Sequence, residues 1–330
     1  MNISWKVRGS VAVLIAILSA FVFLQSASAE EFSPPPFLLQ WGSQGGASGE
    51  FMRPIGIAVD GDDFVYVSDT GNQRIQKFTA QGEFVLSWGQ AGKEAEMLDR
   101  PMHLTAAPDG KIYVAEYIND RIQVFDSEGN YLSFIGSSGT GKGEFDAPGG
   151  VAVDRQGRIF VADFYNHRIQ HFSANYTALP QIGKKGRFFG GNFDYPTDVA
   201  IGPDDSLYVA DAYNNRVQKF DSKGVFVSKW GGFLGSGLKG DSSGSFDVAT
   251  GIEVDAQGRV YVADFYNNRI QIFNSDGDFL LGFGTQGSDP GRFERPTDMT
   301  VDSHGNIYVV DFGNNRIQKF SPLRAQTKHD

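Results

Sequence analysis

The chain has 330 residues, 41 glycines, 28 phenylalanines, no cysteine and a formal net charge of -10. Zero cysteine excludes disulfides, thiolate zinc sites, iron–sulfur clusters and cysteine nucleophiles together. The acidic balance argues against a nucleic-acid partner, whose phosphates demand a Lys/Arg surface, and high Gly with high aromatic content favours short strands over long helices.

In chain order, the first element is an address. Lys6 and Arg8 precede an apolar run from Val11 to Leu24, followed by Ala27-Ser28-Ala29, the pattern of an export signal. The run is shorter than the roughly 20 residues a spanning helix needs. Cleavage after Ala29 predicts an exported protein, periplasmic or extracellular, with no membrane span and 27 basic against 39 acidic residues, a net of -12. Residues 30–36 (EEFSPPP) read as a short stiff linker.

From residue 37 the chain is one unit written repeatedly. Six segments align: YVSDTGNQRIQKF (66–78), YVAEYINDRIQVF (113–125), FVADFYNHRIQHF (160–172), YVADAYNNRVQKF (208–220), YVADFYNNRIQIF (261–273) and YVVDFGNNRIQKF (308–320). Their arginines are spaced 47, 47, 48, 53 and 47 residues apart. Each copy splits into four apolar runs with strand-like alternation, joined by Asp-Gly, Gly-Asn or Gln-Gly turns. Four antiparallel strands at this period predict an all-β, six-bladed propeller over 37–320. The sixth copy lacks a fourth run, and Phe37-Leu38-Leu39-Gln40-Trp41-Gly42 resembles the fourth run of other copies, so it is expected to complete blade six. Residues 321–330 read as a polar tail, and the whole as a monomeric disc.

The repeated D-x-x-N-x-R-[IV]-Q-x-F core, preceded by F-x-x-P-x-x-[IVLM], resembles the NHL-repeat family over roughly 37–320. That resemblance implies the propeller fold; activity is not implied, because one such scaffold hosts unrelated functions. The RNA-binding members resemble basic discs, unlike this acidic chain. The peptide-amidating lyases of this type hold zinc through histidines directly after the inner-strand proline. Here those places hold Ile55, Met102, Gly149, Thr197, Thr250 and Thr297, so that zinc triad is absent. Lactonase-type propellers use acidic and amide groups around a channel calcium.

Features common to six copies belong to the blade; candidate sites lie where copies differ. Two residues after the proline, or its equivalent, stand Gly56, His103, Gly150, Asp198, Gly251 and Asp298. His103, Asp198 and Asp298 thus alternate around the channel, a set suited to a divalent cation; local turn capping and packing are the plainer alternative. After the second-strand carboxylate come Tyr117, Phe164, Tyr165, Tyr213, Phe265, Tyr266 and Phe312. Aromatics at turns are expected either to pack between blades or to form a face for a protein, peptide or glycan. Binding or scaffolding is the leading expectation, and a metal-dependent hydrolase or lyase over the channel the alternative. Gly136–Gly143 imitates a phosphate loop but lacks the Ser/Thr after Lys142 and a following helix. No G-x-S-x-G elbow occurs.

Overall fold

A computed structural model describes residues 31–326; the expected export signal at 1–29 and the last four residues lie outside the described residues. Six antiparallel sheets form the blades of a propeller. In blade one the strands are Ile57–Val59, Val65–Asp69, Arg74–Phe78 and Phe84–Trp88. In blade four they are Pro196–Ile201, Leu207–Asp211, Arg216–Phe220 and Phe226–Trp230. Strand two is wholly buried in each of these blades, whereas the outer strand is exposed or half-buried along most of its length. This is the signature of sheets stacked on both faces inside and wetted at the edge. Blade three keeps three full strands, and its outer edge is reduced to bridges of Ile169 with Ile182 and Phe172 with Ala178. Pro180 lies between those bridges and has no N–H to donate, which interrupts the ladder.

Phe37–Trp41 pairs antiparallel with Arg316–Phe320, so the chain start forms the outer strand of blade six. The pairing extends past the expected boundaries: Phe32 bridges Ala325, Ser321 donates its N–H to Pro36, and Leu323 is buried. Linker and tail therefore form part of the ring's seam. Among the described residues no helix is long and apolar enough to cross a membrane.

The repeated polar residues explain themselves. Asp211 Oδ1 accepts the Asp194 N–H at 2.7 Å, and Oδ2 accepts from Asn214 Nδ2, Arg216 Nε and Gln218 Nε2 at 2.7–2.9 Å. The Arg216 guanidinium also donates to the carbonyls of Arg187 and Asn192. One buried carboxylate thus ties the interblade connection to strands two and three, and the same set recurs around Asp69, Asp264 and Asp311.

A second stitch joins neighbouring blades. The residue before the inner-strand proline, or its equivalent, has a positive φ in every blade: Arg53, Arg100, Ala147, Tyr195, Val248 and Arg295. Five of these N–H groups donate to the residue ending the previous blade's strand 2–3 turn: Asn315, Asp120, His167, Asn215 and Asn268, respectively for Arg53, Ala147, Tyr195, Val248 and Arg295. These bonds fix the inner-strand entries, and with them the residues that face the channel.

Candidate functional site

The channel narrows where the six alternating residues meet. His103 Nδ1 lies 3.1 Å from Asp298 Oδ2 and 3.5 Å from Asp198 Oδ2, and all three residues are buried. The glycines between them are sterically required. A Cβ on Gly150 would sit 2.1 Å from Asp198 Oδ1, and one on Gly251 would sit 2.6 Å from Asp298 Oδ1. A Cβ on Gly56 would meet the backbone at Met102 and His103 at 2.6–2.7 Å. Three bare positions make room for three polar side chains, which reduces a sixfold ring to a threefold floor.

The carboxylates are not local turn caps alone. Asp298 Oδ2 accepts the N–H of Ile57 in blade one, and Asp198 Oδ2 accepts that of Ile252 in blade five. Each bridges its own inner strand to the next blade's. The His103 Nδ1 is close to both carboxylates yet has no aligned hydrogen bond, so the contact is electrostatic. Burial alone pushes the imidazole pKa down, but Asp198 and Asp298 together outweigh it and hold it up at about 9. Burial raises Asp198 to about 7, against the pull of His103 and with Asp298 adding to the rise. Glu253 borders the narrow space beneath, about 120 Å³, with Asp198 and Asp298. Its side chain is half-buried beside that space. Burial, then the nearby carboxylates, push its pKa well up.

Above the floor opens a funnel of about 390 Å³. Tyr117, Phe164, Tyr213, Phe265, Tyr266 and Phe312 line it, with His103 among its lining residues. Tyr165 packs edge-on against Tyr117 and Phe164 beside the funnel. Tyr165, Tyr213 and Tyr266 are about half exposed, so these rings both pack and present surface. The two sets of residues singled out from the sequence therefore meet at His103, which lines the funnel, while Asp198 and Asp298 line the narrow space beneath.

Tyr195, Arg100 and Arg295, which no motif marks in the sequence, join or back the wall. Tyr195 packs on Phe164 and Tyr213 at ring distances of 4.9 Å, and on His167 at 4.3 Å. Arg100 lines the funnel and stacks its guanidinium over Tyr117 at 4.7 Å. Arg295 lies over Tyr266. The signal for them is positional: Tyr195, Arg53, Arg100 and Arg295 all precede the inner-strand proline. Two other features carry less. A wider cavity of about 970 Å³ is a cleft where Glu31, Phe32, Ala325 and Gln326 meet blade five. The cluster of Asp63, Asp302 and His304 is a capped turn, Asp302 accepting the N–H groups of His304 and Asn306.

The sequence matches the NHL repeat family over residues 51–78, 145–172 and 193–220, and a six-bladed β-propeller family over 249–326. A 54-residue stretch is 44% identical to protein lin-41 of Caenorhabditis elegans; it is 16% of this chain and only 5% of that protein's length. Among solved structures, a protein of unknown function from Bacteroides thetaiotaomicron aligns with a TM-score of 0.66 at 19% identity, covering 87% of this chain and 76% of that one. A gluconolactonase from Xanthomonas campestris aligns at 0.62 and 15% identity, covering 90% and 99%. Virginiamycin B lyase from Staphylococcus aureus aligns at 0.57 and 17% identity, covering 88% and 89%. At these identities the likeness establishes a shared fold.

Proposed function

The chain is an NHL-repeat six-bladed β-propeller, and from that premise we propose that it works as an exported module that binds a protein, peptide or glycan segment in its aromatic funnel. The observation that carries this reading is that six turn aromatics and His103 line one cavity. Rigid rings present flat apolar area with little conformational entropy to lose, which suits stacking against a sugar or an apolar side chain. Arg100 at the wall adds a donor for an anionic end of the ligand. Arrays of short peptides and of oligosaccharides test it. Wild-type protein should retain a restricted set of compounds, and the Tyr213→Ala, Phe265→Ala double variant should hold them at least tenfold more weakly, since each stacked ring contributes about 1 kcal/mol or more. Equal retention by the double variant would refute the reading.

A second reading rests on the floor. A buried imidazole nitrogen 3.1–3.5 Å from two carboxylates fits a divalent cation such as zinc or manganese once the ring gives up its proton. His103, Asp198 and Asp298 would hold it, and the bound cation would supply a Lewis acid at the funnel base for hydrolase or lyase chemistry. Calorimetric titration of EDTA-treated protein with each metal should show one-site binding that Asp198→Asn and Asp298→Asn both abolish. No heat of binding with any of the metals would remove this reading and leave the first intact.

A further inference from the structure

The repeat is broken most clearly on the two interblade connections that flank blade four. Their arginine spacings, 48 and 53, are the two that exceed 47. The first connection carries Lys184-Lys185-Gly186-Arg187-Phe188-Phe189, and the second carries Phe233 and, after Gly235-Ser236-Gly237, Leu238-Lys239. Phe188, Phe189, Phe233 and Leu238 are 84%, 75%, 78% and 61% exposed, more than any other large apolar side chain among the described residues. The two connections touch, Arg187 donating to the Gly237 carbonyl at 3.2 Å, and Lys229 of blade four's outer strand donates to the Phe188 carbonyl at 3.0 Å. They form one ridge, on the funnel's face of the disc. Lys185 Nζ lies 5.9 Å from the Tyr195 ring and Lys239 Nζ 6.0 Å from the Tyr266 ring.

Charge distinguishes what this ridge fits. In an acidic chain, 184–187 carries three cations and no carboxylate, and none of the three is paired with an acid among the described residues. Lys239 is paired with Asp247 and counts for less. Lysine is depleted at protein–protein interfaces, whereas apolar loop tips above a basic collar match a surface of anionic headgroups over acyl chains.

We propose that this blade-four ridge docks the propeller onto an anionic phospholipid surface, with Phe188, Phe189, Phe233 and Leu238 entering the interface and Lys184, Lys185 and Arg187 meeting the phosphates. The inference goes beyond ligand capture and does not depend on it. Docked this way, the disc holds its funnel mouth beside the headgroups.

The test uses the full chain bearing Phe188→Trp, with phosphatidylcholine vesicles containing or lacking phosphatidylglycerol. With the anionic vesicles, the emission of the introduced indole, taken as the difference from the unsubstituted chain with its own Trp5, Trp41, Trp88 and Trp230, should shift to the blue and be quenched by brominated acyl chains. Neutral vesicles should give little change. In the unlabelled chain, Phe188→Ser with Phe233→Ser should lower the vesicle-bound fraction roughly tenfold. Replacing Lys184, Lys185 and Arg187 by Ser should remove the preference for anionic lipid. All these side chains are exposed, so the melting temperature should not move. An indole emission unaffected by anionic vesicles overturns the proposal. So does an emission already blue-shifted before lipid is added, because a protein surface, from this chain or a second copy, then covers the ridge.

Discussion

Arg216→Ala should destabilise the folded chain by about 3–5 kcal/mol in urea or thermal unfolding, the range for breaking a buried ion pair on one side. Arg216 and Asp211 are both fully buried. Removing the guanidinium strands a carboxylate whose pKa burial has already raised to about 6, and it frees the carbonyls of Arg187 and Asn192. The other blades supply an internal control. The equivalent Arg269 is 18% exposed at its side chain, so water can reach the vacated site. Its alanine variant should lose clearly less. The loss should also be insensitive to added salt, because buried pairs are weakly screened. Equal effects at Arg216 and Arg269 would mean that burial is not what sets the strength of this network.

The second large effect is loss of stability on the alkaline side. His103 has a folded pKa of about 9 against an ordinary 6.5. A raised pKa means that the folded state holds the proton more tightly than the unfolded chain. The stabilisation is complete below pH 6.5 and disappears as pH rises through 9. By linkage the difference amounts to about 3 kcal/mol. Asp198, raised to about 7 from 3.8, acts in the same direction over a lower window: its contribution is present below 3.8 and lost as pH rises through 7. Metal-free protein should therefore lose stability between pH 6.5 and 9, and a His103→Asn variant should show a much flatter profile over that interval. A wild-type profile as flat as the variant's would show that the imidazole is not charged between the two carboxylates.

How much of this was legible in the sequence depended on periodicity. Six copies of one core set the fold, because a fixed period with four alternating runs leaves few other ways to bury the apolar face. The same register placed His103, Asp198 and Asp298 at equivalent positions in alternate blades. Their approach to 3.1–3.5 Å needed ring closure, and the role of Gly56, Gly150 and Gly251 in leaving room for them is visible only in space. Tyr195 and Arg100 each precede a proline and read as connectors in the sequence; in the fold Arg100 lines the funnel and Tyr195 packs behind the wall rings Phe164 and Tyr213. Glu253 occurs in an inner strand that is otherwise unremarkable, and nothing in its neighbours marks it as channel-facing. Phe188 and Phe189 resemble the many phenylalanines that fill this core, such as Phe193 four residues on, which is fully buried. Only the packing separates the two kinds.

The central claim, that the funnel is the binding site, is tested most directly by a crystal structure of the chain with the tightest compound retained on the arrays. Density for that compound is expected above His103, stacked between Tyr213, Phe265 and Tyr266 with any anionic end near Arg100. A compound found bound elsewhere on the disc, with the funnel empty, would contradict it.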